Sequence, residues 1–398
     1  MTVLRRALSL AAVLPVLIIS ACTSSADDEG GREAPEGASF YEPPADLSDF
    51  THGDVIWSRE QESTGLTGSS STLVLYAQEG VAGETVGTSG VVTVPDGEPP
   101  KGGWPIVAWA HGTTGIADRC APSRLGEDIS DPAARSTTGS LLQRWIDAGY
   151  AVVATDYEGL GTPGDHPYLI GTSQGRAVLD SVRAARQLDD SLSERILVAG
   201  HSQGGHAALW ASSLAPRYTR ELDLIGTVAF APASHLSLAV DAALSGDSTV
   251  PAAFGAMLLL GLDVAHPGKI GMEKLLNERG RELYPLVRET CLPGLFAPDA
   301  FGVEPMSGFI ADGVDGAAIK GPLDANDPSV ARIDGPVLIV QGTADTTVPK
   351  VLTDQLVATY EQRGIDVSYA PYPGGRHTDV LDRSAKRVTA FSEQVRQE

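Results

Sequence analysis

The sequence predicts an α/β protein: a mostly parallel, doubly wound sheet with a mainly helical cap inserted before its last two strands. Three observations carry that prediction. From Pro105 onward, apolar runs alternate with amphipathic segments, the pattern of parallel strands joined by crossover helices. Ahead of Pro105 the chain is rich in β-formers broken by Gly and Ser turns, which suits antiparallel strands. The regular alternation then stops from Ser234 to about Asp334 and resumes afterwards, which marks an insertion.

Each element has its own justification. "DVIWSREQE", "STLVLYAQE" and "GTSGVVTVP" predict the antiparallel opening strands. "PIVAWAHG" is a buried strand entering a Gly-containing loop, "GSLLQRWIDAG" a helix closed by Gly149, and "YAVVATDYEG" the next strand. In "SQGRAVLDSVRAARQL" the residues Val178, Val182, Ala185 and Leu188 fall near one helical face. "RILVAGHS" is a strand, "QGGHAALWASSLA" a helix, and "LIGTVAFAP" a strand ending at Pro232. Inside the insertion, "PAAFGAMLLLGL" is apolar around most of its circumference and reads either as a lid or as a core helix of the cap. "PVLIVQGTAD", "KVLTDQLVATYEQRG" and "DVSYAPYPGG" then give strand, helix and strand, with a last helix after His377.

The flanking composition sets the domain boundaries. Residues 1–21 carry Arg5 and Arg6 before a short apolar run broken by Pro15, the form of an export signal. Its end, "ISAC", resembles the lipobox of bacterial lipoproteins, which implies cleavage before Cys22, acylation of that sulfur, export, and anchoring to the outer face of the bacterial cell membrane. The alternative is an ordinary secretory signal that happens to contain a cysteine, with the protein secreted. Residues 22–50 then read as a flexible acidic tether, since Asp27 to Asp49 holds eight acidic residues against Arg32 alone. The core is expected over 51–233 and 335–398, with the cap over 234–334. A formal net charge of −22 argues against nucleic acid as a partner. Of three cysteines, Cys120 and Cys291 remain after lipidation of Cys22; an exported setting favours a bridge between them over two buried thiols.

The chemistry is read from a pentapeptide that occurs twice. "GTSQG" at 171–175 and "GHSQG" at 200–204 both spell G-x-S-x-G, which lifts a serine onto a strained strand-to-helix turn. Only the second follows a buried strand and has an extra glycine, Gly205, directly after it. Ser202 is therefore the expected nucleophile, and Ser173 an N-cap of the preceding helix. Chain order in the α/β-hydrolase fold is Ser, acid, His, which points to Asp345 after "VLIVQG" and to His377 after the last strand. Asp156 and Asp379 are weaker rivals for the acid. The oxyanion hole is expected from the backbone N–H of Gln203 and of Thr113 in "HGTTG", with Thr114 as the alternative that spacing does not separate. His111, His201 and His206 lack metal-site spacing and suit orienting or packing roles. The chain carries no phosphate loop or dinucleotide fingerprint, so neither a metal nor an organic cofactor is expected.

Together "AWAHGTTG" with a nearby cysteine, "GHSQGG", "GTADTTVP" and "GGRH" resemble the secretory lipase family, the α/β-hydrolases similar to lipase A of Candida antarctica. The resemblance covers most of the chain beyond the tether. It implies carboxylic ester hydrolysis through Ser202, His377 and Asp345, no cofactor, and a cap that shapes access of the acyl chain. The "HGTTG" form and the His before the serine look more like bacterial relatives than fungal ones. A serine peptidase and an acyltransferase share this fold and triad; a non-catalytic, lipid-binding lipoprotein with a vestigial site is the remaining class.

Overall fold

The computed structural model describes residues 34–61, 64–124, 132–247 and 250–397. Nine strands form one sheet: β1 (Val55–Glu60), β2 (Ser69–Glu79), β3 (Thr85–Pro95), β4 (Trp104–Ala110), β5 (Ala151–Thr155), β6 (Leu192–His201), β7 (Asp223–Phe230), β8 (Val337–Gly342) and β9 (Val367–Tyr372). Their spatial order is β1-β2-β3-β5-β4-β6-β7-β8-β9. The pairs β1/β2, β2/β3 and β3/β5 are antiparallel, and every other neighbouring pair is parallel. The predicted mixed, mostly parallel sheet is the one observed.

Both faces of the parallel part are covered, which explains its unbroken apolar runs. Successive side chains alternate between faces. Ile106, Ala108, Ile196 and Val198 pack beneath α2 (Gly171–Leu188) and α3 (Gln203–Tyr218). Val107, Trp109, Leu197 and Ala199 face α1 (Pro132–Asp147) and the C-terminal helix Ala385–Gln397. The few polar groups in that layer are satisfied: Trp145 Nε1 donates to Ser392 Oγ at 3.1 Å and the Tyr150 hydroxyl to the Ser392 carbonyl at 2.7 Å.

Between β7 and β8 the chain builds a mainly helical layer with its own apolar core. It includes α4 (Leu236–Ser245) and α5 (Ala252–Ala265), and it closes with the helix Ala317–Ala325. Met257, Leu260 and Leu262 of α5 are buried in that core, so the apolar run is a cap core helix. Its beginning, Pro251 and Phe254, reaches a cavity.

Two expectations need correction. The tether placed over 22–50 ends earlier, because Gly37–Tyr41 form a 3₁₀ turn whose Phe40 and Tyr41 are buried against Ile56, Trp57 and Leu73. Two aromatic rings in an acidic stretch are enough to dock it, and Trp57 Nε1 donates to the Phe40 carbonyl at 2.8 Å. Ser173 is not an N-cap: α2 starts at Gly171 with Ile170 in the cap position. The buried Ser173 hydroxyl donates instead to the Glu158 carboxyl, whereas a helix N-terminus would have offered it only N–H groups to accept from. The export signal and the lipidated Cys22 lie outside the described residues. Among the described residues, no helix is long and apolar enough to cross a membrane.

Candidate active site

Ser202 stands where β6 passes into α3, with φ 59° and ψ −116°. A non-glycine residue in that region costs about 1–3 kcal/mol and persists only when its surroundings hold it there. They do so from both sides of the turn. Ser202 N donates to the Phe230 carbonyl at 2.8 Å, and the Ser202 carbonyl accepts from His206 N at 3.1 Å and Ala233 N at 3.2 Å. The flanking glycines are a steric requirement: a Cβ on Gly200 would run into the Gly204 carbonyl, and one on Gly204 into the Ala110 carbonyl. Strand and helix can cross this closely only without side chains at those two places.

The loops after β8 and β9 are zipped together, Thr343 N donating to the Tyr372 carbonyl at 3.0 Å and Ala344 N to the Gly375 carbonyl at 2.9 Å. That places Asp345 beside His377, with Nδ1 to Oδ2 at 2.7 Å. Asp345 also accepts from Thr347 N at 2.8 Å, Val348 N at 2.9 Å and Gln341 Nε2 at 3.1 Å. Burial pushes this carboxyl up, but the His377 bond and the two backbone donors outweigh it and hold the group below the usual aspartate range. It is an ionised acceptor fixed by four donors. His201 Nε2 donates to the His377 carbonyl at 2.9 Å, and the two rings lie 4.6 Å apart. Burial, with His377 nearby, pushes His201 down to about 3, which keeps it neutral.

Ser202, His377, His201 and the loop after β4 open into one cavity of 1110 Å³. Pro251, Phe254, Leu292, Phe296 and Val303 wall its cap side; Leu66, Val91, Trp109, Leu142 and Val152 wall its sheet side. Asp156 also borders it, but its carboxyl is occupied by Ser89 Oγ at 2.6 Å and Ser123 N at 2.9 Å, and burial raises its pKa. Asp379 accepts from Arg376 N at 2.6 Å and pairs with Arg376 and Arg383 at the surface. Neither rival carboxyl bonds His377.

Gln203 is the first residue of α3, so its N–H has no acceptor within the helix. Thr113 lies on the facing loop, where its hydroxyl is 2.7 Å from the Tyr168 hydroxyl. Leu292 N donates to the Thr114 carbonyl at 2.8 Å, and a short antiparallel bridge joins Gly115 to Cys291. Cys120 and Cys291 form a disulfide with Cα atoms 5.4 Å apart, tying this loop to the cap. Sequence reasoning missed His166. Its Nε2 is 2.9 Å from Gln203 Nε2, while its Nδ1 donates to the Glu158 carbonyl at 2.7 Å. Burial lowers His166 to about 3, so Nε2 keeps its lone pair and holds the Gln203 amide. No local pattern around His166 signals this, because the contact joins separate loops. Among the described residues, no group of three or more His, Cys, Asp or Glu is placed to hold a metal.

A serine on a strained elbow, with an Asp–His pair on the loops after the last two strands of such a sheet, defines the α/β-hydrolase class. Residues 136–382 match the secretory lipase family, and the chain belongs to it. It is a carboxylic ester hydrolase of lipase/esterase type. Lipase A of Moesziomyces aphidis is 27% identical over 403 residues, which cover 92% of this chain and 81% of that protein. A Mycobacterium tuberculosis protein named "Probable inactive lipase" is 27% identical over 358 residues, 84% of this chain and 76% of that one. The fold is shared with Candida antarctica lipase A in its closed state, at TM-score 0.73 and 24% identity, over 91% of this chain and 87% of the other.

Proposed function

We propose that this chain hydrolyses carboxylic esters through an acyl-enzyme formed on Ser202. His377 takes the Ser202 proton as Oγ attacks the acyl carbonyl, then returns it to the departing alcohol. Water, deprotonated by the same imidazole, attacks the acyl-enzyme and releases the acid while the serine regains its proton. Asp345 holds the Nδ1–H tautomer of His377 and stabilises the imidazolium. The N–H groups of Gln203 and Thr113 serve the developing oxyanion. The carrying observation is the strained Ser202 opening into the same cavity as the Asp345-bonded His377. The apolar cap wall suits an acyl chain, which makes lipid esters the natural substrate class.

The test is an ester panel from acetate to palmitate together with a fluorophosphonate probe, on wild type and Ser202→Ala. Turnover and labelling in wild type, with labelling abolished and turnover cut by about 10⁴-fold in the variant, support the reading. A wild-type protein that neither turns over esters nor takes the label overturns it in favour of a non-catalytic lipase-like protein. For location, the "ISAC" motif supports an exported protein anchored through an acylated Cys22. Metabolic labelling with palmitate should mark the wild type and not Cys22→Ala, and an unlabelled wild type rejects the anchor.

A further inference from the structure

In the loop after β4 the backbone carbonyls are pinned almost one after another. The Tyr157 hydroxyl donates to the His111 carbonyl at 2.9 Å. His111 Nδ1 stands 2.7 Å from the carbonyl of Gly112, its own neighbour in sequence. Leu292 N takes the Thr114 carbonyl. The chain has no cis peptide bond among its described residues, so N–H and C=O point opposite ways in each peptide plane. Gly112 itself lies on the elbow: a Cβ there would sit 3.7 Å from Ser202 Cβ and 3.0 Å from His201 Nδ1. Fixing the Gly112 carbonyl therefore fixes the Thr113 N–H of the same plane, in the residue that follows the glycine packed against the elbow.

We propose that His111 is a positioning residue for the oxyanion hole, its Nδ1–H holding the Gly112 carbonyl so that Thr113 N–H, and not Thr114 N–H, faces the developing charge. The inference rests on the ester hydrolysis proposed above. A neutral imidazole has one proton to give. Burial holds His111 below the ordinary histidine range and therefore neutral. The proton belongs on Nδ1, whose 2.7 Å contact is far shorter than the 3.3 Å between Nε2 and the Asp156 carbonyl. The ring is braced for this task, 4.5 Å from the Tyr157 ring. A donor directed before the reaction begins needs no reorganisation as charge develops, which is the source of its catalytic value.

The two ring nitrogens can be replaced separately. Asparagine places its amide nitrogen where Nδ1 stands, and glutamine places its own where Nε2 stands. His111→Asn should keep ester turnover within about fivefold of wild type. His111→Gln and His111→Phe should lose kcat by on the order of 10²-fold, the loss typical of a misdirected oxyanion donor, with KM within about threefold. Affinity for a boronic acid that forms a tetrahedral adduct on the serine should fall in step with kcat. Rates are taken per titratable active site and compared with Tm, so a folding defect cannot pass for a catalytic one. Equal losses in the Asn and Gln variants at equal Tm overturn the proposal, as does a Gln variant that outperforms the Asn variant. If His111→Phe does not fold, the Asn and Gln pair carries the test. A wild type without ester turnover fails the functional proposal, and this inference with it; an active wild type with indifferent His111 variants fails this inference alone.

Discussion

The two G-x-S-x-G segments lie on adjoining elements and share four of five letters, yet their atoms do different work. At 200–204 the glycines let β6 and α3 cross with backbone against backbone, and Ser202 is held at φ 59° facing a cavity. At 171–175 the glycines open the first turn of α2 against α3: a Cβ on Gly171 would collide with the Trp210 ring, and one on Gly175 would lie 2.9 Å from Ala211 N. Ser173 there is fully buried in ordinary helix with its hydroxyl committed to Glu158. The difference teaches that glycine spacing reports close approach, and what approaches decides whether the serine faces a cavity or is committed to a buried carboxyl.

The sharpest way to break the comparison is to remove each hydroxyl. Ser202→Ala should cost about 10⁴-fold in kcat with little change in Tm, whereas Ser173→Ala should leave kcat within about twofold. Comparable rate losses in the two variants would erase the distinction. Next come the second glycines. Gly204→Ala should cost about 4 kcal/mol or more, seen as loss of soluble, cooperatively unfolding protein, because the Ala110 carbonyl cannot move without dismantling β4. Gly171→Ala should cost only about 1–3 kcal/mol, since the Trp210 side chain can shift, and should keep its rate per folded molecule.

Ser173→Ala has a smaller expected effect on stability, about 1–3 kcal/mol by denaturant unfolding, from leaving the buried Glu158 carboxyl short of one donor. The smallest effect concerns α3, which both segments meet. Burial lowers His206 to about 4, while its Nε2 bonds the Asn326 carbonyl at 3.0 Å. Between about pH 6.5 and 4 the unfolded chain takes up a proton at this position that the folded chain refuses, so this histidine's share of stability is lost as pH falls through that window. His206→Gln keeps the amide donor and lacks the titration. Its Tm should therefore gain on wild type as pH is lowered from about 6.5 to 4, and a pH-independent difference would contradict the assignment.

Much of the fold was legible because strand and helix periods are local properties of the chain. The unbroken apolar runs "PIVAWA" and "RILVAG" read as strands buried on both faces, and the structure places them at the centre of the sheet. The disulfide was open to cysteine arithmetic, and Asp345 and His377 to chain order. His166 under Gln203, Tyr157 under His111 and Leu292 over Thr114 were not, since each contact joins segments whose own neighbours say nothing about it. The docking of Phe40 and Tyr41 was hidden by the acidic composition around them.

The sequence by itself determined the order of strands and helices, the interruption that becomes the cap, and which serine follows a buried strand. Those follow from periodicity and from glycine placed on either side of a turn. Only the tertiary structure decided where the glycines of "GTSQG" are used, which carbonyls pin the loop after β4, and how His377 is held from both ends. A hydrogen bond has a direction, and that direction depends on a partner brought from a distant part of the chain.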